Sequence, residues 1–195
     1  VPEKGRVTKT KKTTLPLEGV KILDFMWALA GPGATRTLAD MGATVIRVES
    51  SSRLDVIRTI RPFIDGDESP EKSALFHNTN AGKNLLSLDL TKPEGKAVAL
   101  DLVRWCDVVT ESFSPKAMKA FGLDYESLLE VNSDLIMLST CLFGQTGPLS
   151  MFAGYGNLAA AIAGFYTITG WPDREPAGPF GAYTDYIAPR YNAAA

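Results

Sequence analysis

Short apolar runs alternate along this chain with amphipathic ones. "VKILDF" (20–25) is apolar, "TVIRV" (44–48) is β-branched and "NLLSLDL" (84–90) alternates, while "DVVT" (107–110) and "LIMLST" (135–140) complete five predicted strands. Helix candidates lie between them at 33–41, 92–105, 114–121 and 125–131. Thr91 with Glu94 three residues on reads as a capping box for the second helix, and Gly122 as the stop of the third. Strands separated by helices imply a parallel sheet covered on both faces, an α/β fold without internal repeats.

Composition narrows the function classes. With 45% hydrophobic and 22% charged residues, the 195-residue chain has material for one sizeable core. A formal net charge of -2 gives no electrostatic reason to expect nucleic acid, and the one basic run, "KGRVTKTKK" (4–12), reads as a solvated tail or linker. No apolar run approaches the roughly 18 to 20 residues of a spanning helix, so no membrane partner is expected. Cys106 and Cys141 offer neither a disulfide framework nor metal-ligand spacing, which suits a reducing cytoplasm, and no metal is expected. The ends suggest a piece of something longer: residues 1–16 form a polar lead, and "YIAPRYNAAA" (186–195) stops where a helix is under way.

The segment "DFMWALAGPGATRTLADMGATVIRVE" (24–49) has the outline of a dinucleotide-binding opening. A phosphate loop of that kind needs G-x-G-x-x-G directly after the first strand, so that the backbone can approach the pyrophosphate and the helix can pack closely. Gly31 and Gly33 are present, but Arg36 holds the third position and five residues separate Gly31 from the strand. Only Glu49, at the end of the second strand, matches the ribose-binding acid.

The same segment, "LEGVKILDF...AGPGATRTLADMGATVIRVE", resembles the N-terminal signature of the class III CoA-transferases, the CaiB/BaiF family. "LDVIR" (54–58), "NTNAGKNLLSLDLTKPEGKAVALDLVRWCDVVTESFSP" (78–115) and "FGLDYESLLEVNSDLIMLSTCLFGQTGP" (121–148) resemble further family segments in the same order. The likeness runs over 17–195 and implies a Rossmann-like large domain, of which this would be the N-terminal part, in an interlocked homodimer. It also implies transfer of coenzyme A from an acyl-CoA to a small carboxylic acid. CoA and its ester are then substrates, and no cofactor is permanently bound.

The family's nucleophile is an aspartate, which matches Asp185 in "GAYTDYIAPRYNAAA" (181–195). A carboxylate with reference pKa of about 3.9 is ionised at neutral pH and can attack a thioester carbonyl, although an Asp in such a place is by itself more often a helix cap. The resemblance lays Ala30, Gly31 and Pro32 against CoA, sets Lys83 beside a nucleotide phosphate and brings Phe113 to the adenine, with Arg47 and Arg58 as further phosphate partners.

Departures are concentrated in two places. The family's "ENFRPG" reads Glu111-Ser112-Phe113-Ser114-Pro115-Lys116, and Pro189 with Arg190 replaces the small residues that usually follow the aspartate. A proline at 189 is expected only in the first turn of a helix. The sister racemase activity uses a histidine where this chain has Tyr155 in "AGYGN" (153–157), and a phenol with reference pKa of about 10 is a poor base at neutral pH. The single histidine, His77, reads as a polar loop contact, and "GQTGP" (144–148) as a turn. Two function classes stand: a CoA-transferase inactive as this piece alone, or a non-catalytic CoA-binding or assembly module of a tandem protein.

Overall fold

The apolar runs become the strands Lys21–Phe25 (β1), Thr44–Glu49 (β2), Asn84–Ser87 (β3), Val108–Glu111 (β4) and Ile136–Ser139 (β5). All pair in parallel, in the order β3-β2-β1-β4-β5. The helices between them are Ala30–Asp40 (α1), Ala74–Asn80 (α2), Pro93–Trp105 (α3), Pro115–Phe121 (α4) and Tyr125–Leu129 (α5). Gly156–Ile162 (α6), Phe165–Ile168 (α7) and Tyr183–Ala194 (α8) follow the last strand. The computed structural model describes residues 14–195; the basic run at 4–12 and most of the polar lead lie outside the described residues.

Strand alternation distributes the core between two layers. Leu23, Phe25, Val48 and Val109 face Ala99 and Val103 of α3, Met118 of α4 and Leu128 of α5. On the opposite face, Ile22 and Val45 pack against Leu38 and Ala39 of α1. That face turns polar toward the carboxyl ends of the strands, where the register sets Asp24 beside both Arg47 and Thr110. Among the described residues no helix is long and apolar enough to cross a membrane.

Local signals were read correctly where one residue decides them. Gly122 ends α4 at φ 63°, a left-handed conformation that costs glycine little. The capping box did not form: the N-cap of α3 is Lys92, because Pro93 takes the first helical position, where its missing N–H costs nothing. Thr91 instead closes a turn, donating its hydroxyl (2.6 Å) and its N–H (3.0 Å) to Asp89 Oδ1. That turn ends β3 at Ser87 rather than at residue 90. α1 begins three residues earlier than expected, since Pro32 lies within the first turn and the first helical bond, Gly33 N–H to Leu29 carbonyl (3.0 Å), comes after it.

Candidate functional site

In open α/β sheets ligands bind outside the carboxyl ends of the strands, at the point where the strand order reverses, here between β1 and β4. A cleft of about 800 Å³ opens at that point, lined by Trp27, Leu88, Leu90, Ser112, Phe113 and Tyr155 among others. The rings of Trp27 and Phe113 meet edge to face at 5.8 Å. Arg53 lies exposed at the rim with its guanidinium 5.8 Å from the Trp27 ring, and it pairs with no carboxylate among the described residues. Sequence reasoning passed over Arg53, which sits in a polar run without any periodic signal.

Of the expected nucleotide contacts, Phe113 alone lines the cleft. The "AGP" segment is the first turn of α1, with Gly31 and Pro32 buried. A Cβ at Gly31 would stand 2.8 Å from the Met26 side chain, so the glycine serves the close seating of the helix on the end of β1.

The basic residues expected at phosphates are turned inward, each onto a carboxylate. Lys83 Nζ bonds to Asp24 Oδ2 (3.0 Å), the Pro32 carbonyl (2.9 Å) and Asn80 Oδ1 (3.0 Å), so all three of its donors are occupied. Burial pushes its pKa down and the Asp24 carboxylate opposes that shift. Arg47, with 0% exposure, pairs with Asp55 and with Glu49 (3.3 Å). Arg58 grips the Glu49 carboxylate through Nε and Nη2 at 2.8–3.0 Å and lies 3.5 Å over the Phe76 ring. These charges lie between β2 and α2, and an isolated charge there would be costly, so each is matched by a carboxylate. Burial raises the Asp55 pKa although Arg47 pulls it down, whereas for Glu49 burial is outweighed by the two arginines and the Asp55 N–H, and its pKa falls.

Asp185 occupies the first turn of α8. It lines a separate hollow of about 250 Å³ between α1 and α8, together with Gly33, Thr37, Tyr186, Pro189 and Arg190. Tyr155 lines the cleft, and Gly156, next in sequence, lies directly against the Asp185 carboxylate. Burial raises the Asp185 pKa above the ordinary aspartate value, and the Gly156 N–H offsets part of the rise. A Cβ at Gly156 would collide with Asp185 Oδ2 and Thr184 Oγ1, so only glycine fits under the carboxylate. Thr184 Oγ1 is buried beside it without a hydrogen-bond partner among the described residues.

Pro189 is not in the first turn of its helix, as expected, but in the interior of α8. Having no N–H, it leaves the Asp185 carbonyl without its helical partner. Its ring packs on α1, where a Cβ at Gly33 would stand only 3.0 Å from Pro189 Cγ. The bare Gly33 surface thus lets α8 seat closely and carries Asp185 to its place. His77 makes a polar contact, with Nε2 2.8 Å from the Glu71 carbonyl, but from within α2 rather than from a loop.

Comparison with known proteins agrees with this architecture. The family model described as CoA-transferase family III matches residues 17–195. The chain is 42% identical over 182 residues to the succinate–glutarate CoA-transferase of Agrobacterium fabrum, covering 92% of this chain and 46% of that protein. It is 38% identical over 187 residues to the human succinyl-CoA:glutarate CoA-transferase, covering 96% and 42% respectively. Among solved structures, a CAIB/BAIF family protein from Brucella suis superposes with a TM-score of 0.84 at 38% identity, covering 93% of this chain and 48% of that one. The chain therefore spans about half the length of the relatives it matches.

Proposed function

Because the chain belongs to CoA-transferase family III, we propose that the whole protein moves coenzyme A from an acyl-CoA to a carboxylic acid, with Asp185 as the nucleophile. The observation that carries this reading is the half-buried Asp185 carboxylate packed against Gly156, whose neighbour Tyr155 lines the cleft. The Asp185 oxygen attacks the thioester carbonyl, forming a mixed anhydride and releasing the CoA thiolate. The thiolate attacks the Asp185 carbonyl of the anhydride, freeing the first acid and leaving an aspartyl thioester. The second acid repeats the sequence in reverse: its carboxylate displaces the thiolate from Asp185, and the thiolate then takes the new acyl group and restores the carboxylate.

The chain's own groups support these steps. The apolar cleft suits the pantetheine arm, with the Trp27 and Phe113 rings for the adenine and Arg53, rather than Arg47, Arg58 or Lys83, for a phosphate. The unpartnered Thr184 hydroxyl is a donor for the carbonyl oxygen that gains charge during attack. Relatives named for succinate and glutarate point to short dicarboxylic acids as the exchanged acids. Ile168, Trp171, Phe180 and Tyr191 are exposed apolar surface of the kind that a second copy covers, in keeping with a homodimer.

The deciding experiment incubates the full-length protein with a panel of acyl-CoA donors and searches the peptides by mass spectrometry for an acyl or CoA adduct on Asp185, with Asp185→Ala as control. An adduct lost in the control supports covalent transfer. CoA binding with no adduct from any donor would turn the assignment to a binding module. Gly156→Ala tests the seat of the carboxylate. It is expected to lower kcat about a hundredfold, because a displacement of about 1 Å costs that much in a positioned reaction. Full turnover in that variant would mean that Asp185 does not depend on its contact with Gly156.

A further inference from the structure

The turn from β1 into α1 carries an unusual backbone. Ala28 has φ 63°, and the one other described non-glycine residue with positive φ is Asp65. Aspartate tolerates the left-handed region through its short polar side chain, but alanine has no such help. Three successive amides of this turn donate to side chains from three different parts of the chain. Met26 N–H goes to Asp24 Oδ1 (2.9 Å), Trp27 N–H to Ser112 Oγ (2.8 Å), and Ala28 N–H to both Asp55 oxygens (3.0 and 3.1 Å).

Asp55 is itself immobilised. It is 0% exposed, its own N–H donates to Glu49 Oε1 (2.8 Å), its carboxylate pairs with Arg47, and Oδ1 caps the Ile57 N–H (3.1 Å). A strained conformation persists only where its surroundings over-determine it, and here the surroundings are fixed charges behind the cleft. The strained residue and its neighbour face the ligand space: Ala28 and Trp27 both line the cleft.

We infer that Asp55 is a positioning residue for the cleft: by taking the Ala28 N–H on both oxygens it holds the left-handed turn that sets Trp27 against Phe113. The buried Arg47, Glu49 and Arg58 then serve as the rigid mount of this clamp. Their influence reaches the ligand through the backbone of residues 26–28. The inference rests on the reading of the cleft as a CoA site, and it extends that reading to a residue that touches no ligand.

The test uses the full-length protein in four forms: natural, Asp55→Asn, Ala28→Gly and the double variant. CoA affinity is measured by titration calorimetry, and exchange of the residue 28 amide by hydrogen–deuterium mass spectrometry. Asn presents a donor where Asp has its second acceptor, so Asp55→Asn is expected to raise the Kd for CoA about tenfold, the scale of the left-handed penalty at a non-glycine residue. KM for acyl-CoA should rise with it while kcat stays within about threefold. Adding Ala28→Gly should recover most of the lost affinity, since glycine adopts φ above zero without a Cβ penalty. A purely structural role for Asp55 predicts no such rescue.

An unchanged Kd in Asp55→Asn, or a loss that glycine at 28 does not recover, would overturn the inference. Should Asp55→Asn fail to fold, Ala28→Val makes the same test with the ionic mount intact, and a valine that leaves the Kd unchanged counts against the clamp. If the natural protein binds no CoA, the CoA reading fails by itself. The amide exchange at residue 28 then decides the clamp alone: slow exchange in the natural protein and about tenfold faster exchange in Asp55→Asn sustain it, and equal rates end it.

Discussion

Asp185→Ala should lower kcat for CoA transfer by about a thousandfold or more while the protein stays folded, because every covalent step uses that carboxylate. Stability should not fall, and the reason lies in the sign of the proton linkage. Burial raises the folded pKa of Asp185 above its unfolded value of 3.8. A raised acid binds its proton more tightly in the folded state, so the ionised group weighs against folding from the unfolded pKa upward, and fully once the pH exceeds the folded pKa. Alanine removes that cost, and the melting temperature at neutral pH should be equal or higher. Asp185→Asn keeps an oxygen for the Gly156 N–H and should be equally inactive with CoA affinity retained. In the natural protein the same raised pKa should move the acidic limb of the kcat profile above the pH at which an ordinary aspartate titrates. Residual turnover within tenfold of the natural protein in either variant would assign the nucleophile elsewhere.

Arg47→Ala should lower the folding free energy by about 3–5 kcal/mol, read from the urea midpoint, since removing one partner strands buried carboxylates. Asp55 is 0% and Glu49 8% exposed, and Arg47 lies against both. Its loss lets burial raise the Asp55 pKa further, beyond the rise already present. The deficit should therefore shrink as the pH falls toward 3.8, the unfolded Asp55 value, where the stranded carboxyl takes up a proton. A phosphate-binding Arg47 predicts a different pattern: intact stability with a salt-dependent rise in KM for CoA. That second pattern would return Arg47 to the ligand.

The two largest effects differ in how far they could be read from sequence. The place of Asp185 could be read because its motif is local, running from Gly181 through the start of α8. The place of Phe113 could be read for the same reason: it follows β4 directly and lines the cleft. Arg47, Arg58 and Lys83 are expected at phosphates only through the family resemblance, and nothing local announces the carboxylates that meet them. In the fold, α1 and α2 cover this face of the sheet and carboxylates meet each charge. Ser112, which reads only as a departure from the family pattern, takes the Trp27 N–H and so helps to shape the turn.

What the sequence determined by itself was the parallel α/β plan, the order of its elements and the glycine stop at 122. Each rests on a period, a turn residue or a contiguous motif within about fifteen residues. The tertiary structure decided which charges are buried, how Pro189 seats α8 on Gly33, and which glycine lies against Asp185. Those depend on pairs far apart along the chain, such as Gly156 with Asp185 and Lys83 with Asp24. Their free energies are set by desolvation and close packing, which exist only once the layers have come together.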